Sequence, residues 1–208
     1  MKKESLYNLF FIFLIGSVLG WFIEGIYTLI KKGILINHSA LVIGPFNIVY
    51  GIACVIFTFF LKNIKNNKLW QIFIVSFIFG TVLEYLLSLG MEHIMGFTAW
   101  NYSQKFLNIN GRVSLFYSLC WGILGVLFIK VIYPWMLNLI QSINKNVGKK
   151  IIVGMSVFLV FDLLLTFSAV DRAREKEMGL PPNNVYEKVL DKTFNEAYLR
   201  NMFNNNFR

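Results

Sequence analysis

The sequence predicts an all-α membrane protein, a polytopic bundle of about five transmembrane helices with a short C-terminal helical tail. Two observations predict it. Of 208 residues, 56% are hydrophobic and 15% charged, with a mean hydropathy of +0.58. An ordinary soluble domain is about 45–50% apolar and about a quarter charged. The charged residues also gather in short clusters between long apolar runs, and each run can cross a hydrocarbon core of roughly 30 Å.

The runs, taken in order, set the elements. Residues 6–30 form the first span, closed by Lys31 and Lys32. Residues 41–61 form the second, followed by Lys62, Lys65 and Lys68. Residues 69–96 form the third. A mixed, aromatic loop leads to the fourth at 113–139, with Pro134 near its end. Residues 151–170 form the fifth, after Lys145, Lys149 and Lys150. Residues 1–170 are thus the membrane bundle. Residues 171–208 are a polar linker and an amphipathic helix. Pro181 and Pro182 interrupt the chain, Asn183 or Asn184 can cap the new helix with Glu187 in its first turn, and Tyr186, Leu190, Phe194 and Ala197 share one face.

The basic start followed by a long apolar stretch reads as an uncleaved signal anchor. With five spans, the N-terminus and the two Lys-rich loops around 62–68 and 140–150 share one side. That cation bias places the N-terminus inside and the tail outside.

Composition also excludes. The net charge of +9 is carried by orientation signals, and no basic face with interleaved aromatics suits nucleic acid. Cys54 and Cys120 lie inside apolar runs as small hydrophobes. His38 and His93 have no metal-ligand spacing. Ser88 and Ser118 lack a nucleophile elbow. No GxxxxGK[ST] is present, so the chain is not its own ATPase. No cofactor is expected. Gly16 and Gly20 mark a close helix contact. No internal repeat is read, and hence no inverted transporter repeats.

Glu84, Ser88 and Glu92 repeat every four residues, which makes one polar stripe on a helix. A carboxylate at bilayer depth must face a protein interior or a wet cavity. Five-span parity puts Glu24, Glu84, Glu92 and Asp162 in one half of the bilayer, with Arg112 at the start of span four. Trp100 and Tyr102 cap this layer, as stacking groups for a ligand or as an interfacial belt. Four readings stay open. Arg112 can neutralise buried acids in a purely structural cluster. The acids can form a transport or ion site. They can serve as acid and base of an enzyme acting on a lipid or cell-envelope precursor. The chain can also be a regulatory or assembly subunit without site chemistry.

GWFIEGIY (20–27), GPFNIVYG (44–51), EYLLSLGME (84–92), WNYS (100–103), FLNINGR (106–112) and SLFYSLCWGILG (114–125) resemble the bacterial family of CmpB-like permeases, ABC-transporter type IV. The resemblance covers nearly the whole chain. It implies a bacterial cytoplasmic membrane protein of permease type, in contact with lipid and working with a separate ATPase subunit or by self-association. It marks Glu24, Glu84, Ser88, Glu92, Trp100, Tyr102, Asn108 and Arg112 as site positions, to which the depth argument adds Asp162. Two positions depart from the family pattern. Asn47 and Val49 flank Ile48 where the family has Pro before Ile-Tyr-Gly, and Asn101 replaces the acid of Trp-Asp-Tyr.

Overall fold

The computed structural model describes residues 5–95, 100–195 and 198–199. Their order is α1 (Leu6–Lys32), α2 (Ile48–Leu61), α3 (Leu69–Met95), α4 (Leu115–Leu127), α5 (Tyr133–Ser142), α6 (Lys145–Glu177) and α7 (Val185–Thr193). Local chemistry sets the ends. The Ser5 hydroxyl caps α1 by accepting from the Asn8 N–H, and the α1 C-terminus closes on Gly33 at φ 71°, a conformation glycine adopts without a Cβ penalty. A π-helical stretch, Phe128–Ile132, joins α4 to α5. It precedes Pro134, which lacks an N–H and would clash with the carbonyl one turn back in a regular helix.

Four helices are long and apolar enough to cross a membrane: Leu6–Lys32, Leu69–His93, Leu115–Ser142 and Lys145–Glu177. The second crossing differs from the expected helix over 41–61. The helix begins only at Ile48, and residues 33–47 are non-helical. This segment descends beside α1. Leu35 lies against Gly25, Asn37 accepts from the Trp21 indole at 2.7 Å, and the Asn47 N–H donates to the Ser17 carbonyl at 3.0 Å. Non-helical backbone survives at membrane depth only when its polar groups are satisfied by protein. Gly44, at φ 83°, makes the turn, and the Ser39 hydroxyl closes it by donating to the Gly44 carbonyl and accepting from the Phe46 N–H.

One end of the bundle gathers the N-terminus of α1 and the loops after α2 and α5. Gly148 seats the Tyr7 ring, and Lys130 reaches the Lys65 carbonyl. The other end holds the 33–47 segment, the loop from 100 to 114 and the tail. α6 runs straight through residues 171–177, so the expected linker is shortened to the turn before α7. Asn184 caps α7 and Glu187 reaches back to the Asn183 N–H. Leu190 is buried, whereas Tyr186 is exposed. Ala197 lies outside the described residues. Arg172 anchors α7 from α6 by binding Asp191, Glu175 and the Leu180 carbonyl.

The core of α1–α5 contains a duplication that the sequence reading did not find. In the α1–α2 hairpin, Gly16 faces Cys54, Gly20 faces Tyr50, and Gly51 faces Phe13. In the α3–α4 hairpin, Ser76 faces Gly125, Gly80 faces Trp121, and Gly122 faces Phe73. One shift carries Phe13, Gly16, Gly20, Glu24 and Thr28 onto Phe73, Ser76, Gly80, Glu84 and Ser88. A second, longer shift carries Tyr50, Gly51, Cys54 and Phe57 onto Trp121, Gly122, Gly125 and Phe128. Equivalent residues also touch one another across the hairpins. The ring centroids of Tyr50 and Trp121 are 5.8 Å apart, and those of Phe57 and Phe128 are 6.1 Å apart. Residues meet their own equivalents only beside a two-fold axis. The pseudo-axis therefore runs along the bundle between α2 and α4, as in parallel membrane repeats. The duplication escapes a fixed-period search because its two helices are displaced by different amounts.

Candidate functional site

Glu24 lies one helical turn after Gly20, and Glu84 one turn after Gly80, so each carboxylate shares the face that its helix packs against its hairpin partner. Glu24 accepts from the Tyr50 hydroxyl at 2.7 Å. Glu84 accepts through Oε1 from the Tyr102 hydroxyl at 3.1 Å. Glu84 is only 5% exposed, and its Oε2 is buried without a hydrogen bond. Trp121 stands at the position equivalent to Tyr50. Neither acid has a cationic partner among the described residues.

Aromatic rings surround the pair. Tyr102 stacks on Tyr117 with centroids 4.2 Å apart and planes 13° apart. The Tyr117 hydroxyl faces Tyr27, whose own hydroxyl takes a hydrogen bond from Lys31 at 2.9 Å. Burial pushes the Tyr102 hydroxyl well above the usual tyrosine range, and the neighbouring Glu84 charge adds to this. Tyr102 is therefore a fixed donor. Below the rings is a cavity of about 40 Å³, with Gly16, Gly20, Ala53, Phe57, Leu124 and Phe128 among the residues that line it.

The loop from 100 to 114 holds Tyr102 in place. The Tyr102 N–H donates to the Gly111 carbonyl at 2.7 Å, and the Ile109 N–H to the Val113 carbonyl at 3.1 Å. Asn108 binds the Ser103 and Lys105 carbonyls and the Gly111 N–H. The Trp100 indole donates to the Arg112 carbonyl at 2.7 Å. Trp100 and Asn108 are thus occupied in organising this loop. Arg112 pairs with Glu92, touches Ser88 at 3.4 Å and lies over the Tyr85 ring at 5.8 Å. The bond to Glu92 raises its already high pKa. Arg112 therefore pairs with the more exposed acid at the mouth and leaves Glu84 and Glu24 unneutralised.

Asp162 shares no hydrogen bond with Glu24 or Glu84 among the described residues. Asp162 is fully buried and accepts from the Ile43 N–H at 3.1 Å, while Thr166 accepts from the Val42 N–H at 3.0 Å. Tyr198 of the tail donates to the Val42 carbonyl at 2.8 Å. Asp162 thus serves the descending 33–47 backbone. An intramembrane acid read by depth alone looks like a site residue, but the unpaired N–H groups of a non-helical segment demand an acceptor there.

A family model described as "Putative ABC-transporter type IV" matches residues 11–167. The chain belongs to that family. The match spans α1 through most of α6 and contains Glu24, Glu84 and Asp162, the 100–114 loop and both halves of the duplication. In this type IV protein the tail from Asp171 onward lies beyond the matched region. No curated protein and no solved structure matches the chain. Tyr27 and Tyr117 were missing from the sequence-derived site. The Gly-x-x-x-Glu spacing shared by α1 and α3 directs both acids toward the starts of their partner helices, where Tyr50 and Tyr117 lie, whereas no sequence signal marks Tyr27, on α1 itself.

Proposed function

We propose that this type IV protein is a permease whose binding site is the compartment between Glu24 and Glu84. One observation carries the reading: two carboxylates at equivalent positions of a repeated hairpin each accept a hydrogen bond from a tyrosine hydroxyl, and neither forms an ion pair among the described residues. Intramembrane acids are costly unless they serve a pathway or are paired. Arg112, the cation at hand, is engaged with Glu92. Parallel repeats around a central site also suit alternating exposure, because two similar halves can rock against each other. We place the protein in a bacterial cytoplasmic membrane with its N-terminus inside, on the weight of Lys residues at that end. An ATP-driven form would require a separate ATPase subunit, since the chain has no phosphate-binding loop of its own.

The test is flux through the full chain reconstituted in liposomes, followed with a pH-sensitive dye for protons and with labelled monovalent and organic cations. Glu24→Gln and Glu84→Gln should each lower flux at least tenfold while the thermal midpoint in detergent stays close to that of the parent. Unchanged flux in both variants would remove the permease reading.

A further inference from the structure

We infer that the surface where Lys130 meets the loop between α2 and α3 binds the phosphate headgroup of an anionic phospholipid. This surface lies at the start of α3, about 22 Å along that helix from Glu84.

The fold crowds cations here. Lys130, in the π-helical stretch Phe128–Ile132, donates to the Lys65 carbonyl. Its ammonium is thereby held within a side chain's length of the Lys65 ammonium, and Lys68 follows in the same loop. All three lysines are exposed. Like charges gathered in this way repel one another and attract a shared anion. No carboxylate from the neighbouring elements answers them, because residues 25–83 and 93–161 contain no Asp or Glu. Glu4, the acid nearest this end along the chain, lies outside the described residues. None of the three lysines forms an ion pair among the described residues. An ammonium that gives one N–H to a carbonyl keeps two more for an acceptor. A phosphate supplies both the missing charge and the acceptor oxygens.

The level of the lysines is that of lipid headgroups. From Leu69 to Glu92, α3 rises about 35 Å, against roughly 30 Å for a hydrocarbon core. Arg112 and Glu92 pair at one rim, so Lys65, Lys68 and Lys130 stand at the other. Two tryptophans mark the same rim. Trp70 in the first turn of α3 is 59% exposed, and Trp135, one turn after Val131, is 49% exposed. Indole rings favour the boundary between headgroups and hydrocarbon.

The surroundings select a lipid over a free anion. Leu127 and Val131 are exposed beside Lys130, and Leu69 beside Lys68. An acyl chain can lie along Leu127, one turn nearer the membrane centre, while its phosphate meets the lysines. Basic surfaces at helix junctions on the rim of a bundle take anionic headgroups in this manner.

The test is lipid binding by the full chain in a neutral detergent, read by native mass spectrometry and by the thermal midpoint. Phosphatidylglycerol is compared with phosphatidylcholine of the same acyl chains. Phosphatidylglycerol should bind at least tenfold more tightly, raise the midpoint, and resist displacement by inorganic phosphate. A lysine near an anionic lipid contributes about fivefold in affinity. Lys130→Gln should therefore weaken phosphatidylglycerol about fivefold, and Lys130→Arg should retain most of the affinity. The double variant Lys65→Gln, Lys68→Gln keeps the Lys65 carbonyl and hence the Lys130 bond, and should weaken binding more than tenfold. Lys149→Gln with Lys150→Gln removes as much charge from the start of α6 and should change affinity less than twofold. Equal affinity for the two lipids, displacement by inorganic phosphate, or an equal loss in the Lys149→Gln, Lys150→Gln protein would overturn the assignment.

Discussion

Glu24 of α1 and Glu84 of α3 occupy equivalent places in two helical hairpins, each one turn beyond a glycine that seats an aromatic ring of the paired helix. Their environments differ. Tyr50 donates to Glu24 from within its own hairpin, whereas Glu84 takes its hydrogen bond from Tyr102 in the loop after α3. One carboxylate is therefore held by the bundle and the other by a loop.

The glycines should carry much of the hairpin stability. A Cβ at Gly80 would stand 2.5 Å from the Trp121 Cβ, so Gly80→Ala should force α3 and α4 apart. Overpacking of this kind costs about 1–3 kcal/mol. Gly154 on α6 has nothing within 4 Å of such a Cβ. Gly154→Ala should be neutral or stabilising by up to ~1 kcal/mol through helix propensity. Thermal midpoints of the two variants in the same detergent check the contrast.

Asp162 should tolerate loss of charge but not loss of its acceptor. Asp162→Asn keeps an oxygen for the Ile43 N–H, whereas Asp162→Leu strands that donor at a cost of about 1–3 kcal/mol. Val42→Cys, at a position 2% exposed in the parent and bonded only through its backbone, should react slowly with a maleimide in the Asp162→Asn background and quickly in the Asp162→Leu background.

Arg172 should hold the tail. It is 4% exposed and binds Asp191 at 3.1 Å and Glu175 at 2.9 Å. Arg172→Met removes these bonds and leaves Asp191 without its cation. Limited proteolysis should then cleave between Met178 and Asn184 much faster than in the parent, while the α1–α5 bundle stays intact.

The sequence by itself determined what depends on neighbours along the chain. Hydropathy placed the four long spans, because burial in lipid is decided by the side chains of one segment. Asn184 and Glu187 marked the start of α7, because a cap satisfies N–H groups within its own first turn. Gly16 and Gly20 announced a close crossing for the same local reason.

Tertiary structure decided partners. Whether Arg112 met Glu84 or Glu92 depended on how the 100–114 loop folded over α3, and its own hydrogen bonds turned the guanidinium to the mouth. Whether Asp162 faced the acids or a stretch of bare backbone depended on α2 starting at Ile48 rather than at Leu41. The duplication itself became visible only when Gly20 met Tyr50 and Gly80 met Trp121. Hydrophobicity fixes the depth of a residue, but the direction it faces is set by which helices approach closely enough to pack, and that is a property of the assembled bundle.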